Sequence, residues 1–304
     1  MTGKPALFSF GAIAAALALS PAAAFAQGTE YHYSRPGEIG FQESVTPIMD
    51  SIVHFHDGIL LWTIGLITVF VLGLLVVVMV RFNAKAHPIP STNAHNTVIE
   101  ILWTVIPIII LVVIAIPSFG VLSDQFTMPD GQRKYLGSDI FSFGNVDVPA
   151  PGLTLKITGY TWYWNYEYVD QGESFDSNLM PEETRQAQKP NQPRLLAVDN
   201  ELVVPVNTTV RVQVTSDPVG VIHAFAVPAF GIKTDAVPGR LNETWFNARK
   251  TGLYYGQCSE LCGKDRAFMP IAVRVVTEEE FAAWMAALQA DNLAAANATL
   301  APVS

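Results

Sequence analysis

Cysteine is scarce in this chain. Cys258 and Cys262 are the only two among 304 residues, so at most one intrachain disulfide can form and a disulfide-dense scaffold is excluded. Positive charge is in short supply too. Lys and Arg number 18 against 27 Asp and Glu, and residues 124–304 hold 14 basic against 21 acidic side chains, a balance that argues against nucleic acid and for a basic protein partner. Histidine is rarer still in that half: of His32, His54, His56, His87, His95 and His223, only the last lies beyond residue 124. No internal repeat is present, which excludes a solenoid or propeller array.

Charge is missing altogether from two long apolar runs, Gly58 to Val80 and Ile101 to Ser123. Roughly 20 apolar residues rising about 1.5 Å each cover the about 30 Å of a bilayer interior, so each run is long enough to span a membrane as a helix. Pro107 and Pro117 lie inside the second run. They would break a soluble helix but are tolerated in a span whose neighbours satisfy the freed carbonyls, so partner helices are implied. Between the runs the loop carries Arg81 and Lys85 and no acid before Glu100, whereas Glu43, Asp50, Asp57 and Asp124 flank the opposite ends. The positive-inside rule therefore places the loop in the cytoplasm and everything after Asp124 outside. A secretory signal agrees with that orientation: Lys4, an apolar run from Ala12 to Leu19, and Ala24-Phe25-Ala26 before a mature start near Gln27.

The exported part reads mostly as strands, with β-branched and aromatic residues at short intervals between turn residues. Candidate strands are Leu153 to Ile157, Leu202 to Val206, Thr209 to Thr215, Thr244 to Asn247, Gly252 to Tyr255 and Ile271 to Val276, a spacing that suggests a β-sandwich or barrel. Residues 129–151 and 185–193 read as loops. Thr277 with Glu280 forms a capping box ahead of Phe281, Trp284, Met285 and Leu288 at helical spacing, so a terminal helix is predicted. Between Tyr166 and Arg185 the acids Glu167, Asp170, Glu173, Asp176, Glu182 and Glu183 occur with no Lys or Arg among them. Such a run is a solvated face or a surface that steers a basic partner.

On spacing alone, Cys258 and Cys262 suit a disulfide or a metal site equally. Met269 seven residues on, and His223 within Val221-Ile222-His223-Ala224-Phe225, shift the balance, because thiolates, a thioether and an imidazole together suit copper. These residues belong to longer motifs. Pro228-Ala229-Phe230-Gly231-Ile232-Lys233, Asp235-Ala236-Val237-Pro238-Gly239-Arg240, Cys258-Ser259-Glu260-Leu261-Cys262-Gly263 and the aromatic stretch Gly159 to Tyr168 resemble cytochrome c oxidase subunit II. His95-Asn96, Glu100 and Trp103-Thr104 extend the resemblance into the membrane part.

The resemblance implies an α+β membrane protein: a two-helix transmembrane hairpin followed by a cupredoxin-like Greek-key β-sandwich or barrel. The corresponding division is 1–26 signal peptide, 27–57 periplasmic N-terminal segment, 58–123 hairpin with spans at 58–80 and 101–123, 124–292 cupredoxin-like domain and 293–304 disordered tail. It also implies a dinuclear copper A centre with Cys258 and Cys262 as bridges, His223 and Met269 on one copper and the Glu260 carbonyl on the other. The Glu260 side chain is expected to hold a magnesium ion shared with subunit I. Trp162 resembles the aromatic through which electrons arrive from cytochrome c, Glu167, Asp170 and Asp176 the acids that dock it, and Glu100 a carboxylate at the entrance of a proton path. Expected partners are the haem-copper subunit I, the other oxidase subunits, cytochrome c and membrane lipid, in a bacterial inner membrane, with no nucleic acid.

Two positions depart from the pattern: Thr161, where the resemblance calls for glutamine, and Arg266. Arg266 stands where the resemblance calls for a second copper-ligating histidine, and a guanidinium offers donors only and stays protonated. The expectation is a conserved fold around an impaired centre holding one copper or none. A copper-free quinol oxidase subunit would need neither the two cysteines nor Met269, and a purely structural subunit has only Arg266 in its favour.

Overall fold

The computed structural model describes residues 31–89, 91–93, 95–131, 134–135, 146–290 and 292–300; the expected signal peptide lies outside them. Helices are α1 (Pro47–Phe55), α2 (Leu61–Arg81), α3 (Thr97–Phe126), α4 (Glu182–Gln188), α5 (Glu278–Gln289) and α6 (Leu293–Thr299). Strands are β1 (Tyr31–His32), β2 (Lys134–Tyr135), β3 (Val146–Asp147), β4 (Leu153–Tyr160), β5 (Tyr163–Tyr168), β6 (Glu173–Ser177), β7 (Leu202–Pro205), β8 (Thr209–Ser216), β9 (His223–Val227), β10 (Ile232–Ala236), β11 (Asn242–Asn247), β12 (Gly252–Gln257) and β13 (Pro270–Val276).

A π-helical turn, His56–Leu60, joins α1 to α2, so the first long helix runs from Pro47 to Arg81 and starts well before the expected span at residue 58. Its start is chemically marked: the Thr46 hydroxyl accepts from the Met49 amide at 3.1 Å, and Pro47 occupies the first turn, where no amide is needed. The second helix, α3, is capped by Asn96, whose side-chain oxygen accepts from the Val98 and Ile99 amides. Both long helices expose nearly continuous apolar surface, as lipid-facing spans do. Pro107 and Pro117 sit inside α3, and Pro117 is buried.

The β domain has a five-stranded sheet ordered β11-β8-β4-β5-β6 and a four-stranded sheet ordered β1-β12-β13-β7, with β9 and β10 paired separately. This is the cupredoxin-like sandwich the sequence resemblance implies. Strand β4 alternates buried and half-buried positions, pointing Leu153, Leu155 and Ile157 into a core shared with Val210, Val212 and Val214 of β8 and Val273 and Val275 of β13. Tyr168 ties the two sheets: its hydroxyl donates to the Val203 carbonyl at 2.7 Å.

The six expected strands are all present. Three other expectations need correction. Residues 129–151 are not wholly loop, because β2 and β3 pair within them. Residues 185–193 are not wholly loop, because α4 continues to Gln188, with Arg185 hydrogen-bonded to Glu182 across one turn. The tail from 293 is not disordered up to Thr299, where α6 forms. Asn292 caps it by accepting from the Ala295 amide at 2.9 Å, its alanines favour helix, and Ala296 is fully buried. Asn297 bonds both Trp284 and Asn200.

The periplasmic ends of both spans are bonded to the β domain. Trp245 donates to the Asp124 carbonyl at 2.8 Å and Thr244 to the Gln125 carbonyl at 2.9 Å. Thr46 donates to the Phe230 carbonyl at 2.7 Å, and Arg249 pairs with Asp50 at 2.6 Å. Gly231 lets α1 approach here, since a Cβ at this positive-φ residue would come within 2.9 Å of the Met49 Cα.

Within the β domain Glu201 is buried between Arg274, Lys189 and Gln192. Burial alone would raise its carboxyl pKa; the two cations and the Gln192 amide outweigh that and hold it at about 2. A depressed carboxylate stabilises the fold above its unfolded pKa and loses that contribution as pH falls through the folded value. Glu201 should therefore contribute about 3 kcal/mol at neutral pH, lost progressively below about pH 4.5. Thermal unfolding of the full chain against pH checks this: Glu201→Gln should lower Tm at pH 7 and flatten the acid limb, and an unchanged acid limb would refute the assignment.

Candidate metal centre

The centre forms where β9 begins and the β12–β13 connection crosses it. His223 is the first residue of β9 and is fully buried. Cys258 follows the end of β12, Met269 precedes β13, and the Cys258 amide donates to the Met269 carbonyl at 3.0 Å. This bond extends the β12–β13 ladder by one step and pins both ends of the loop 259–268. The Ser259 amide donates to the Ala224 carbonyl at 3.2 Å, fastening the loop to β9. The result is a tight cluster: Cys258 Sγ lies 3.8 Å from His223 Nδ1, 3.5 Å from Cys262 Sγ and 3.6 Å from the Glu260 carbonyl. His223, Cys258 and Cys262 are the metal-capable group found among the described residues, and Met269, also buried, is joined to Cys258 through its backbone carbonyl.

The cysteines are free. Burial, reinforced by Cys258, pushes the Cys262 thiol up to about 12, so its proton stays until a metal displaces it. Burial lowers the His223 pKa, a direction that favours the neutral imidazole a metal requires. Two neighbours in the five-stranded sheet position the ring. The Trp164 ring meets it edge-on at 6.0 Å, and a Cβ at Gly159 would come within 2.9 Å of its Cδ2, so β4 backs the imidazole with bare backbone. A glycine inside a strand is itself a signal of close approach. Sequence reasoning had that cue and did not use it.

Trp162 lies partly exposed at the turn between β4 and β5. Its indole N–H donates to the Cys262 carbonyl at 3.0 Å, and Lys264 Nζ stands 5.8 Å from its ring centre. Gly263 packs against the ring, and a Cβ there would approach it to 3.1 Å. Tyr160 and Tyr163 stack at 5.0 Å on the same turn, a pair that sequence reasoning passed over.

The structure thus brings together His223, Cys258, Cys262, Met269, the Glu260 carbonyl and Trp162. It keeps the others apart. Glu100 sits in the first turn of α3, where its carboxylate accepts from the Asn96 amide at 3.1 Å. Glu167 is ion-paired with Lys156 at 2.9 Å, Asp176 accepts from Asn165 at 2.8 Å, and Asp170 accepts from the Thr154 amide at 3.2 Å. Glu260 turns its carboxylate back to the Leu261 amide at 3.1 Å. Arg266 is exposed on a 3-10 turn, Arg266–Phe268.

This chain is similar to several known proteins. The family model for the periplasmic domain of cytochrome c oxidase subunit II matches residues 153–276, and that for its transmembrane domain matches residues 34–121. A probable cytochrome c oxidase subunit 2 of Rickettsia bellii is 47% identical over 263 residues, covering 86% of this chain and 87% of the relative. The cytochrome c oxidase subunit 2 of Cereibacter sphaeroides is 42% identical over 285 residues, covering 88% and 86%. The crystal structure of the periplasmic domain of subunit II from Bradyrhizobium japonicum is 59% identical, covers 47% of this chain and 98% of that one, and superposes with a TM-score of 0.43. With both of the family's domains matched in order along one chain, this protein belongs to the cytochrome c oxidase subunit II family.

Proposed function

We propose that this chain, as the subunit II of a haem-copper cytochrome c oxidase, takes electrons from cytochrome c at Trp162. It passes them by way of Cys262 and the metal centre to the haem of subunit I. The observation that carries this reading is the 3.0 Å hydrogen bond from the Trp162 indole to the Cys262 carbonyl. It links a partly exposed aromatic ring directly to the backbone of a buried thiol ligand. The other side chains have supporting work. Trp164 and Gly159 hold the His223 ring in place, and the burial of Cys258, Cys262 and Met269 excludes water. Copper, when bound by His223, Cys258, Cys262, Met269 and the Glu260 carbonyl, supplies the one-electron redox step.

Docking is the task of Asp170 and Asp176, both exposed, with Glu167 contributing less because Lys156 already neutralises it. A basic cytochrome c is the partner that the acid excess suits. The Glu260 side chain is assigned to magnesium at the boundary with subunit I, and Glu100 to the cytoplasmic entrance of a proton path. The setting is a bacterial inner membrane, with the β domain in the periplasm. A quinol-fed subunit is disfavoured by the convergence of Cys258, Cys262 and His223, which it would have no reason to keep.

The test is Trp162→Phe in the purified oxidase. Turnover with reduced cytochrome c should fall severalfold while copper content and the Michaelis constant for cytochrome c stay within error. Unchanged turnover would remove Trp162 from the route.

A further inference from the structure

The donors around Cys258 complete one metal site and leave a second unfinished. A single tetrahedral ion with metal–sulfur bonds of about 2.3 Å and metal–nitrogen bonds of about 2.0 Å sets its two sulfurs about 3.8 Å apart and its nitrogen about 3.5 Å from each, so separations within about 0.3 Å of these can close on one ion. The sulfurs of Cys258 and Cys262 are 3.5 Å apart, and His223 Nδ1 is 3.8 Å from Cys258 Sγ. Met269, also buried, adds a soft thioether. A second metal bridged by the same two sulfurs would have only the Glu260 carbonyl left as a terminal donor. The remaining histidines do not join the cluster: His32 stacks on Tyr254, His87 on Phe82, and His56 bonds Asp57, while His54 and His95 lie before and between the spans.

Charge points the same way. Two thiolates and one copper(I) sum to a buried single negative charge, which is costly without a compensating cation. Arg266 stands exposed on the loop that carries Cys262, on the 3-10 turn that follows it. With copper(II) the two thiolates already reach neutrality, and Arg266 adds an uncompensated positive charge. With a mixed-valence pair the metals exceed the thiolates by one positive charge, and Arg266 makes it two. A fixed guanidinium therefore disfavours the second copper and the oxidised state alike.

We infer that this chain holds a single copper(I) ion on His223, Cys258, Cys262 and Met269, with Arg266 as its counter-charge in place of a second ligand. The inference rests on the copper reading proposed above. Binding involves no electron transfer: copper(I) replaces two thiol protons, which leave to solvent, and two copper–thiolate bonds form.

The experiment uses the full-length chain in detergent, titrated anaerobically with copper(I) against a colorimetric copper(I) chelator. Metal content is determined by elemental analysis, and electron paramagnetic resonance is recorded after oxidation. The unaltered chain should bind one copper. Arg266→Gln, which removes the charge without adding a ligand, should still bind one but on the order of tenfold more weakly. Arg266→His should bind two and show hyperfine structure from an electron shared by a pair of copper nuclei. Two coppers with that shared signal in the unaltered chain would overturn the inference, as would equal affinity in Arg266→Gln or a single copper in Arg266→His. No copper in either the unaltered chain or Arg266→His would overturn the underlying copper reading as well.

Discussion

Cys258→Ser is expected to abolish copper binding and cytochrome c oxidation while leaving the fold intact. Cys258 is the hub of the cluster, within 3.8 Å of His223 Nδ1, Cys262 Sγ and the Glu260 carbonyl. Serine matches its size, and the Cys258 amide that bonds the Met269 carbonyl is unaffected, so packing survives. A hydroxyl is a hard donor with little affinity for a soft metal. Since even outer partners of a metal cost about 10–100-fold when lost, losing a central thiolate should cost more than about 100-fold in affinity. Elemental analysis together with thermal unfolding checks both halves. Copper retained in Cys258→Ser would remove this residue from the ligand set, and a collapsed melting curve would mean that the cysteine is chiefly structural.

The second large effect is on folding. Gly256 lies in β12 where it passes β9, and a Cβ there would sit 1.9 Å from the Ala226 carbonyl oxygen and 2.9 Å from its carbon. Both atoms are backbone, so no rotamer change relieves the overlap, and one of the two strands would have to move. That movement would also carry Cys258, two residues on, away from His223 in β9. Gly256→Ala should therefore cost more than about 4 kcal/mol, beyond the range of ordinary point substitutions. The readout is protease resistance and the Tm of the full chain, with copper lost alongside. A variant that melts within a few degrees of the parent would show that the strands separate easily and that this close approach is unimportant.

Much of this architecture is legible in the sequence because it rests on local chemistry. Uninterrupted apolar runs mark the spans, Thr277 with Glu280 marks the start of α5, and alternation marks β4 and β8. The donor residues are legible by type, since so few cysteines and histidines are available. What the sequence hides is what depends on distant partners. The docking of α1 on the β domain rests on Thr46 bonded to Phe230, and that of α6 on Asn297 held by Asn200 and Trp284. The neutralisation of Glu167 depends on the register that sets Lys156 opposite it. That pairing separates a charge run on paper from the charges actually available on the surface.

The bonds between the span ends and the β domain have a kinematic consequence. A body fastened at one point can swivel, and one fastened at two can still swing about the line between them. Here α3 is held through Thr244 and Trp245, the start of α1 through Thr46, and the flank of α1 through the Asp50–Arg249 pair. A third fastening off the axis removes the last rotation. The cluster of His223, Cys258 and Cys262 is then held in one orientation to the ends of both long helices, and an electron leaving it would meet one gap width in place of a spread.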